Sequence, residues 1–228
     1  MKTLLAGLLL LAGSAAASEP LRVILVGDST MAARTGYGDA LCQRFKPEVA
    51  CWNLARGGRS SSSFRAEGLW DNVQKLLGDK SFSASIVLIQ FGHNDQPGKP
   101  DRSTDLATEF PANIARYVLE AKALGATPVL LTPLTRRSFR GELLNNDLLD
   151  WADAVRLVAA TAQVPLLDLN AYSAMAVQKM GEAEADTLAM PTQFDRTHLG
   201  SKGAALFSQL VLRELTQLLP GIAHETRH

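Results

Sequence analysis

The chain carries no surplus of charge: 23 Lys and Arg balance 23 Asp and Glu over 228 residues, with no long run of one sign. A nucleic-acid-binding surface leaves a basic imbalance, so the charge argues against that class. Cysteine is almost absent. Cys42 and Cys51 are too few for a structural zinc site, which takes four nitrogen or sulfur ligands. They suit an oxidising compartment, where two such thiols either pair or stay buried as small apolar groups. No apolar run reaches the length of about 20 residues that a membrane-spanning helix needs. The stretch Leu4-Leu5-Ala6-Gly7-Leu8-Leu9-Leu10-Leu11 follows Lys2 and precedes Ala15-Ala16-Ala17, the pattern of a secretory signal over residues 1–17. The expectation is a mature chain from Ser18 onward, periplasmic or extracellular, and not attached to a membrane once the signal is removed. Several motifs are missing as well. There is no Gly-x-Ser-x-Gly elbow and no Gly-x-x-x-x-Gly-Lys-Ser/Thr phosphate loop, and Gly36-Tyr37-Gly38 lacks the third glycine of a dinucleotide fingerprint.

What is present is an alternation of short apolar runs and longer segments of helical period. The runs cover residues 22–27, 49–54, 85–91, 127–132 and 164–169, and several are apolar at consecutive positions. That is the pattern of strands covered on both faces. Between them, Pro111 opens a helix as its first residue, with Ile114, Tyr117, Ala121 and Leu124 as its buried stripe and Gly125 as its stop. Leu148, Ala152, Val155, Ala159 and Ala162 form a second stripe, and a last helix follows Ser201 with Ala204, Ser208, Val211 and Leu215 on one side. Strands alternating with helices predict a parallel sheet between two helical layers. With no internal repeat and no linker, residues 18–228 are expected to form one domain.

Chemistry-bearing residues gather where these elements end, the edge at which a parallel sheet exposes its ligand site. Ser29 follows the first strand in Gly27-Asp28-Ser29-Thr30. Asn94 follows the third in Gly92-His93-Asn94-Asp95. Asp195 and His198 precede the last helix, three residues apart. A serine, a histidine base and an orienting acid are the parts of nucleophilic acyl transfer, and an asparagine N–H suits a developing oxyanion. Gly57-Gly58 can bring a backbone N–H close to a bound ester. Read singly, Ser29 is as well explained as a helix cap, Asn94 as a turn former and Asp195/His198 as a polar surface turn. His93 reads as a loop-packing residue, and His224 and His228 fall in a polar tail. Jointly the four segments point to one hydrolytic site.

On these residues the chain resembles the SGNH (GDSL-type) hydrolases over nearly all of its mature length. The four roles in that name fall on Ser29, on Gly58 within Asn53-Leu54-Ala55-Arg56-Gly57-Gly58-Arg59-Ser60, on Asn94, and on His198 within Asp195-Arg196-Thr197-His198-Leu199. Gly27-Asp28-Ser29-Thr30-Met31-Ala32, Gly58-Arg59-Ser60 and Thr132-Pro133-Leu134-Thr135-Arg136-Arg137 look like the rhamnogalacturonan acetylesterase branch. The resemblance implies a three-layer α/β/α sandwich, flavodoxin-like, on a five-stranded parallel sheet. It implies a serine esterase that removes acetyl groups from a pectic polysaccharide or oligosaccharide, without metal or organic cofactor. Ser29, His198 and Asp195 would be the triad, and the oxyanion would rest on the Asn94 side chain and the Ser29 and Gly58 N–H groups. Arg59, Arg136 and Arg137 are candidates for a sugar carboxylate. Acetylated xylan is the neighbouring substrate class. A carbohydrate-binding protein without turnover and a lipase for long acyl chains are the other readings.

Overall fold

The computed structural model describes residues 20–227; the expected signal at 1–17 and His228 lie outside them. Among the described residues seven strands form: β1 (Leu21–Gly27), β2 (Ala50–Asn53), β3 (Ala84–Gln90), β4 (Thr127–Leu131), β5 (Phe139–Arg140), β6 (Leu143–Leu144) and β7 (Leu166–Leu167). The helices are α1 (Gly38–Cys42), α2 (Ser63–Ala66), α3 (Leu69–Gly78), α4 (Glu109–Ala123), α5 (Leu149–Ala162), α6 (Leu169–Met180), α7 (Glu182–Asp186) and α8 (Ser201–Leu218). Five strands make an all-parallel sheet in the order β2-β1-β3-β4-β7, and β5 and β6 pair as a small antiparallel hairpin. Counting only the strands of the large sheet, the order is the flavodoxin-like 2-1-3-4-5. Its switch point lies between β1 and β3, beyond whose carboxyl ends a ligand crevice opens.

The consecutive apolar residues of β1 are explained by burial on both sides. Val23 and Leu25 pack with Tyr37, Leu41, Phe207 and Val211 on one face; Ile24 and Val26 pack with Trp70, Val73, Ile114 and Tyr117 on the other. Two cores thus sandwich the sheet, one under α1, α6 and α8, the other under α3, α4 and α5. The ladder β1–β3 runs from Leu21↔Ala84 to Gly27↔Gln90. That register delivers the Ser29 turn and the Asn94 loop to neighbouring positions on one edge.

Some boundaries differ from those expected. The run 164–169 contributes only Leu166–Leu167, because Pro165 has no N–H to donate and Asp168 instead caps α6, accepting from Ala171 N at 3.4 Å. Pro111 is the third residue of α4 rather than its first. The cost is small, since the first four N–H groups of a helix lack intrahelical partners. Asp105 organises the approach, accepting from Ala107 N, Thr108 N and Thr108 Oγ1. In α8 the fully buried line runs through Gly203, Phe207, Val211 and Leu215, with Ala204 half-buried at its flank. The tail around His224 forms a 3₁₀ turn, Pro220–Glu225, held by Ile222 in the core and by Lys46 N donating to Glu225 O at 2.8 Å. Cys42 and Cys51 are joined as a disulfide between α1 and β2.

Candidate active site

At the end of β1 the chain turns sharply, and Asp28 rather than Ser29 supplies the cap. Asp28 Oδ1 accepts from Thr30 N and Thr30 Oγ1, both at 2.8 Å, while Asp28 O accepts from Ala32 N at 2.9 Å. Glycine is required just before the turn: a Cβ on Gly27 would sit 2.7 Å from Gln90 O. Below the turn runs a buried chain of polar groups. Tyr37 OH donates to Gln90 Oε1 at 2.6 Å, and Gln90 Nε2 donates to Thr30 Oγ1 at 2.7 Å. His93 Nδ1 stands 3.3 Å from Asp28 Oδ2. Burial disfavours the Asp28 carboxylate, but attraction to His93 and the Thr30 donors outweigh it and hold the group below the usual range. With Asp28 occupied in this way, the Ser29 hydroxyl is left for other work.

Its partner comes from the other end of the chain. His198 Nε2 lies 2.9 Å from Ser29 Oγ, and His198 Nδ1 lies 2.8 Å from Asp195 Oδ2. An ionised carboxylate only accepts, so the ring proton belongs on Nδ1 and Nε2 is free to accept from the serine. Asp195 Oδ1 meanwhile accepts from Thr197 N at 2.7 Å and His198 N at 2.6 Å, closing the three-residue loop. Partial burial works against its charge, yet these donors and the imidazole hold the Asp195 carboxyl below the ordinary range. Thr35, unremarked in the sequence, ties the two ends together: its hydroxyl donates to Ser29 O at 2.8 Å and its carbonyl accepts from Leu199 N at 2.9 Å.

Two further loops approach the serine. A Cβ on Gly57 would come within 3.7 Å of Ser29 Cβ, so this loop passes directly beside the hydroxyl. Gly58 has φ of +77°, a conformation side chains rarely adopt. Asn94 Nδ2 donates to Arg59 O at 3.1 Å, fastening the glycine loop to the end of β3 and leaving its second N–H uncommitted. The next residue, Asp95, strengthens the same junction: it accepts from Ser61 N at 3.0 Å, Ser61 Oγ at 2.5 Å and Thr104 Oγ1 at 3.1 Å. Burial dominates over those donors and pushes the Asp95 carboxyl up to about 7. Asp95 stood in the quoted motif, but nothing in the sequence marked it as the clasp between two loops.

The three arginines expected at a substrate carboxylate have other employment. Arg59 pairs with Glu67 at 2.8 Å and Arg136 with Asp147 at 2.5 Å. Arg136 still touches the site, donating through Nε to Thr197 Oγ1 at 3.2 Å. Arg137 is wholly buried and cannot meet a polymer. Its guanidinium donates to the carbonyls of Asp195 at 2.8 Å, His198 at 2.7 Å and Thr197 at 3.4 Å, and its own N–H donates to Arg196 O at 2.8 Å. Placing this side chain under the loop instead of in solvent gives three of its carbonyls a donor, and the Arg137 backbone N–H serves a fourth. Among the described residues no cluster of three His, Cys, Asp or Glu side chains could hold a metal ion.

Residues 23–211 match the model of the GDSL-like lipase/acylhydrolase family. Two Bacillus subtilis (strain 168) proteins are 31% identical: the probable rhamnogalacturonan acetylesterase YesY over 86% of this chain and 93% of its own length, and the rhamnogalacturonan acetylesterase RhgT over 88% and 91%. Among solved structures, an acetylxylan esterase from Geobacillus stearothermophilus superposes with a TM-score of 0.63 at 22% identity, covering 85% of this chain and 93% of that one. The Bacillus subtilis protein YXIM superposes with a TM-score of 0.73 at 23% identity; 90% of this chain is covered, which spans 58% of that longer chain.

Proposed function

Because the chain belongs to the GDSL-like lipase/acylhydrolase family and is a serine esterase of the SGNH type, we propose that it is a carbohydrate O-acetylesterase acting on rhamnogalacturonan-type pectic glycans. The observation that carries the reading is the unbroken row Ser29 Oγ, His198 Nε2, His198 Nδ1 and Asp195 Oδ2, with spacings of 2.9 and 2.8 Å. In this reading the Ser29 oxygen attacks the acetyl carbonyl as its proton passes to His198 Nε2. Asp195 compensates the imidazolium and keeps its orientation. The oxyanion of the tetrahedral adduct takes the uncommitted N–H of Asn94 and the backbone N–H groups of Ser29 and Gly58. The bond to the sugar oxygen then breaks, and that oxygen takes the proton from His198. Water, giving a proton to the same nitrogen, attacks the acetyl-serine; acetate leaves and the hydroxyl is restored.

The pectic substrate is favoured over xylan by the two 31% identical relatives named for rhamnogalacturonan. Export from the cytoplasm belongs to the same reading. It is supported by the charged-apolar-small pattern over residues 1–17 and by the Cys42–Cys51 disulfide. The test is acetate release from acetylated rhamnogalacturonan, acetylated xylan and a small acetyl ester. We expect turnover on the first and last, abolished by Ser29→Ala in a variant that keeps its circular dichroism. Preference for xylan would move the substrate class. A folded Ser29→Ala variant with normal turnover would remove the serine from the mechanism, and binding of the glycan with no hydrolysis of any ester would leave a lectin-like role.

A further inference from the structure

With Arg59 and Arg136 paired and Arg137 buried, the charge facing a substrate must come from elsewhere. The loop between β3 and α4 supplies it. Arg102 reaches over the glycine loop, its Nη1 3.4 Å from Gly58 O, and a Cβ on Gly58 would lie 3.6 Å from the same nitrogen. Lys99 occupies the same turn, its carbonyl accepting from Arg102 N at 3.2 Å. Neither cation has a carboxylate partner among the described residues, and the neighbouring Asp101 is exposed and pairs with neither. Arg136, which reaches Thr197 beside the histidine, is already engaged by Asp147. Burial, then repulsion from Arg136 and Arg102, holds the Lys99 ammonium below the usual lysine range against the opposing attraction of Asp28 and Asp147, so Lys99 lies among the charges of the site. Two cations on one turn without an ion-pair partner focus attraction on an anion that joins them.

We propose that Lys99 and Arg102 form a carboxylate-recognition subsite beside Gly58 that selects acetylated glycans bearing uronate residues. The subsite rests on the esterase reading above and adds to it the residues that read substrate charge. An acetyl group held at Gly58 N–H places the sugar ring next to the Arg102 guanidinium, whose fork suits a carboxylate, while Lys99 contributes a point charge. The cations are partly exposed, so each pair is worth what an exposed ion pair is worth, and salt weakens it.

The test compares acetylated oligogalacturonide with the same oligosaccharide after methyl esterification of its carboxyls. The parent should favour the free acid by about fivefold to tenfold in kcat/KM, the scale of two exposed ion pairs. Lys99→Gln should lower that ratio, and Lys99→Gln/Arg102→Gln should bring it close to one; added salt should do the same to the parent. An unchanged ratio with both rates depressed would show that Arg102 only braces the Gly58 loop, and would overturn the proposal. So would a parent indifferent to esterification. If neither oligosaccharide is cleaved while a small acetyl ester is, the glycan reading itself fails. In that case, inhibition of small-ester hydrolysis by unacetylated oligogalacturonate, lost in the double variant, would still support the subsite, and absence of inhibition would end it.

Discussion

Arg137 shows how far a single side chain's role depends on where its charge is discharged. A guanidinium with no solvent and no carboxylate within hydrogen-bonding reach is costly to bury, and here backbone oxygens of the Asp195–His198 loop take the Nη donors, while Nε is buried without a partner. Burial holds its pKa below the usual arginine value, with Asp195 and Asp186 pulling the other way. It is therefore a positioning residue for the histidine and its acid. Arg137→Met keeps the stem and removes every donor. Because misplacement of a catalytic group by about 1 Å costs on the order of 10²-fold, kcat on a small acetyl ester should drop about 10- to 100-fold with KM little altered. Arg137→Lys, retaining charge and one donor direction, should fall between. Steady-state kinetics beside a thermal unfolding midpoint separate the roles: a lowered midpoint with normal kcat would make the arginine structural only.

Among the elements, β2 is the edge strand of the sheet that leads into the site. It lies at an edge, has one neighbour, and each of its residues is only half-buried. Yet its end launches the loop that carries Gly57 and Gly58. The disulfide from Cys51 to Cys42 fastens it to α1, which packs on α8 beneath the same core. Closing a loop of this size restricts the unfolded chain by about 2–3 kcal/mol in the entropic account. Cys42→Ser/Cys51→Ser should therefore lower the unfolding free energy by that amount in a denaturant titration, with kcat little changed because β1–β2 pairing from Arg22↔Ala50 to Leu25↔Asn53 remains. A collapse of kcat without loss of stability would mean that the crosslink aligns the glycine loop directly.

For the whole molecule, stability should depend on pH through two buried carboxyls of opposite behaviour. Asp95 titrates at about 7 when folded and near ~3.9 when unfolded. Between those values the folded chain binds a proton that the unfolded chain has released, so stability falls as pH rises through that window. The change over the whole window amounts to no more than about 4 kcal/mol, at 1.36 kcal/mol per pKa unit. Asp28 is held low in the fold, so its contribution is present above the ordinary carboxylate range and is lost on acidification. Unfolding free energies at pH ~5 and pH ~8 should show the parent less stable at the higher value. Asp95→Asn should flatten that difference. A parent equally stable at both would show that the Ser61 and Thr104 donors keep Asp95 ionised throughout.

The sequence by itself determined the layered α/β architecture, because strands buried on both faces must be apolar at consecutive positions and helices at every third or fourth. The runs 22–27 and 85–91 were legible for that reason, and they appear as Leu21–Gly27 and Ala84–Gln90. Loop chemistry at strand ends was legible too, since a nucleophile, an amide and an acid–histidine pair are rare together at such places. Strand 164–169 shrank to Leu166–Leu167 because local pattern weighs Pro165 and the capping Asp168 too lightly. Only the tertiary structure decided which charges face a substrate. A charge's role depends on its nearest opposite charge and on solvent, and Arg59 found Glu67, Arg136 found Asp147, and Arg137 found backbone carbonyls. The same holds for Thr35, which holds Leu199 from the far end of the chain, and for Asp95, which holds Ser61 34 residues away, contacts that no local spacing encodes.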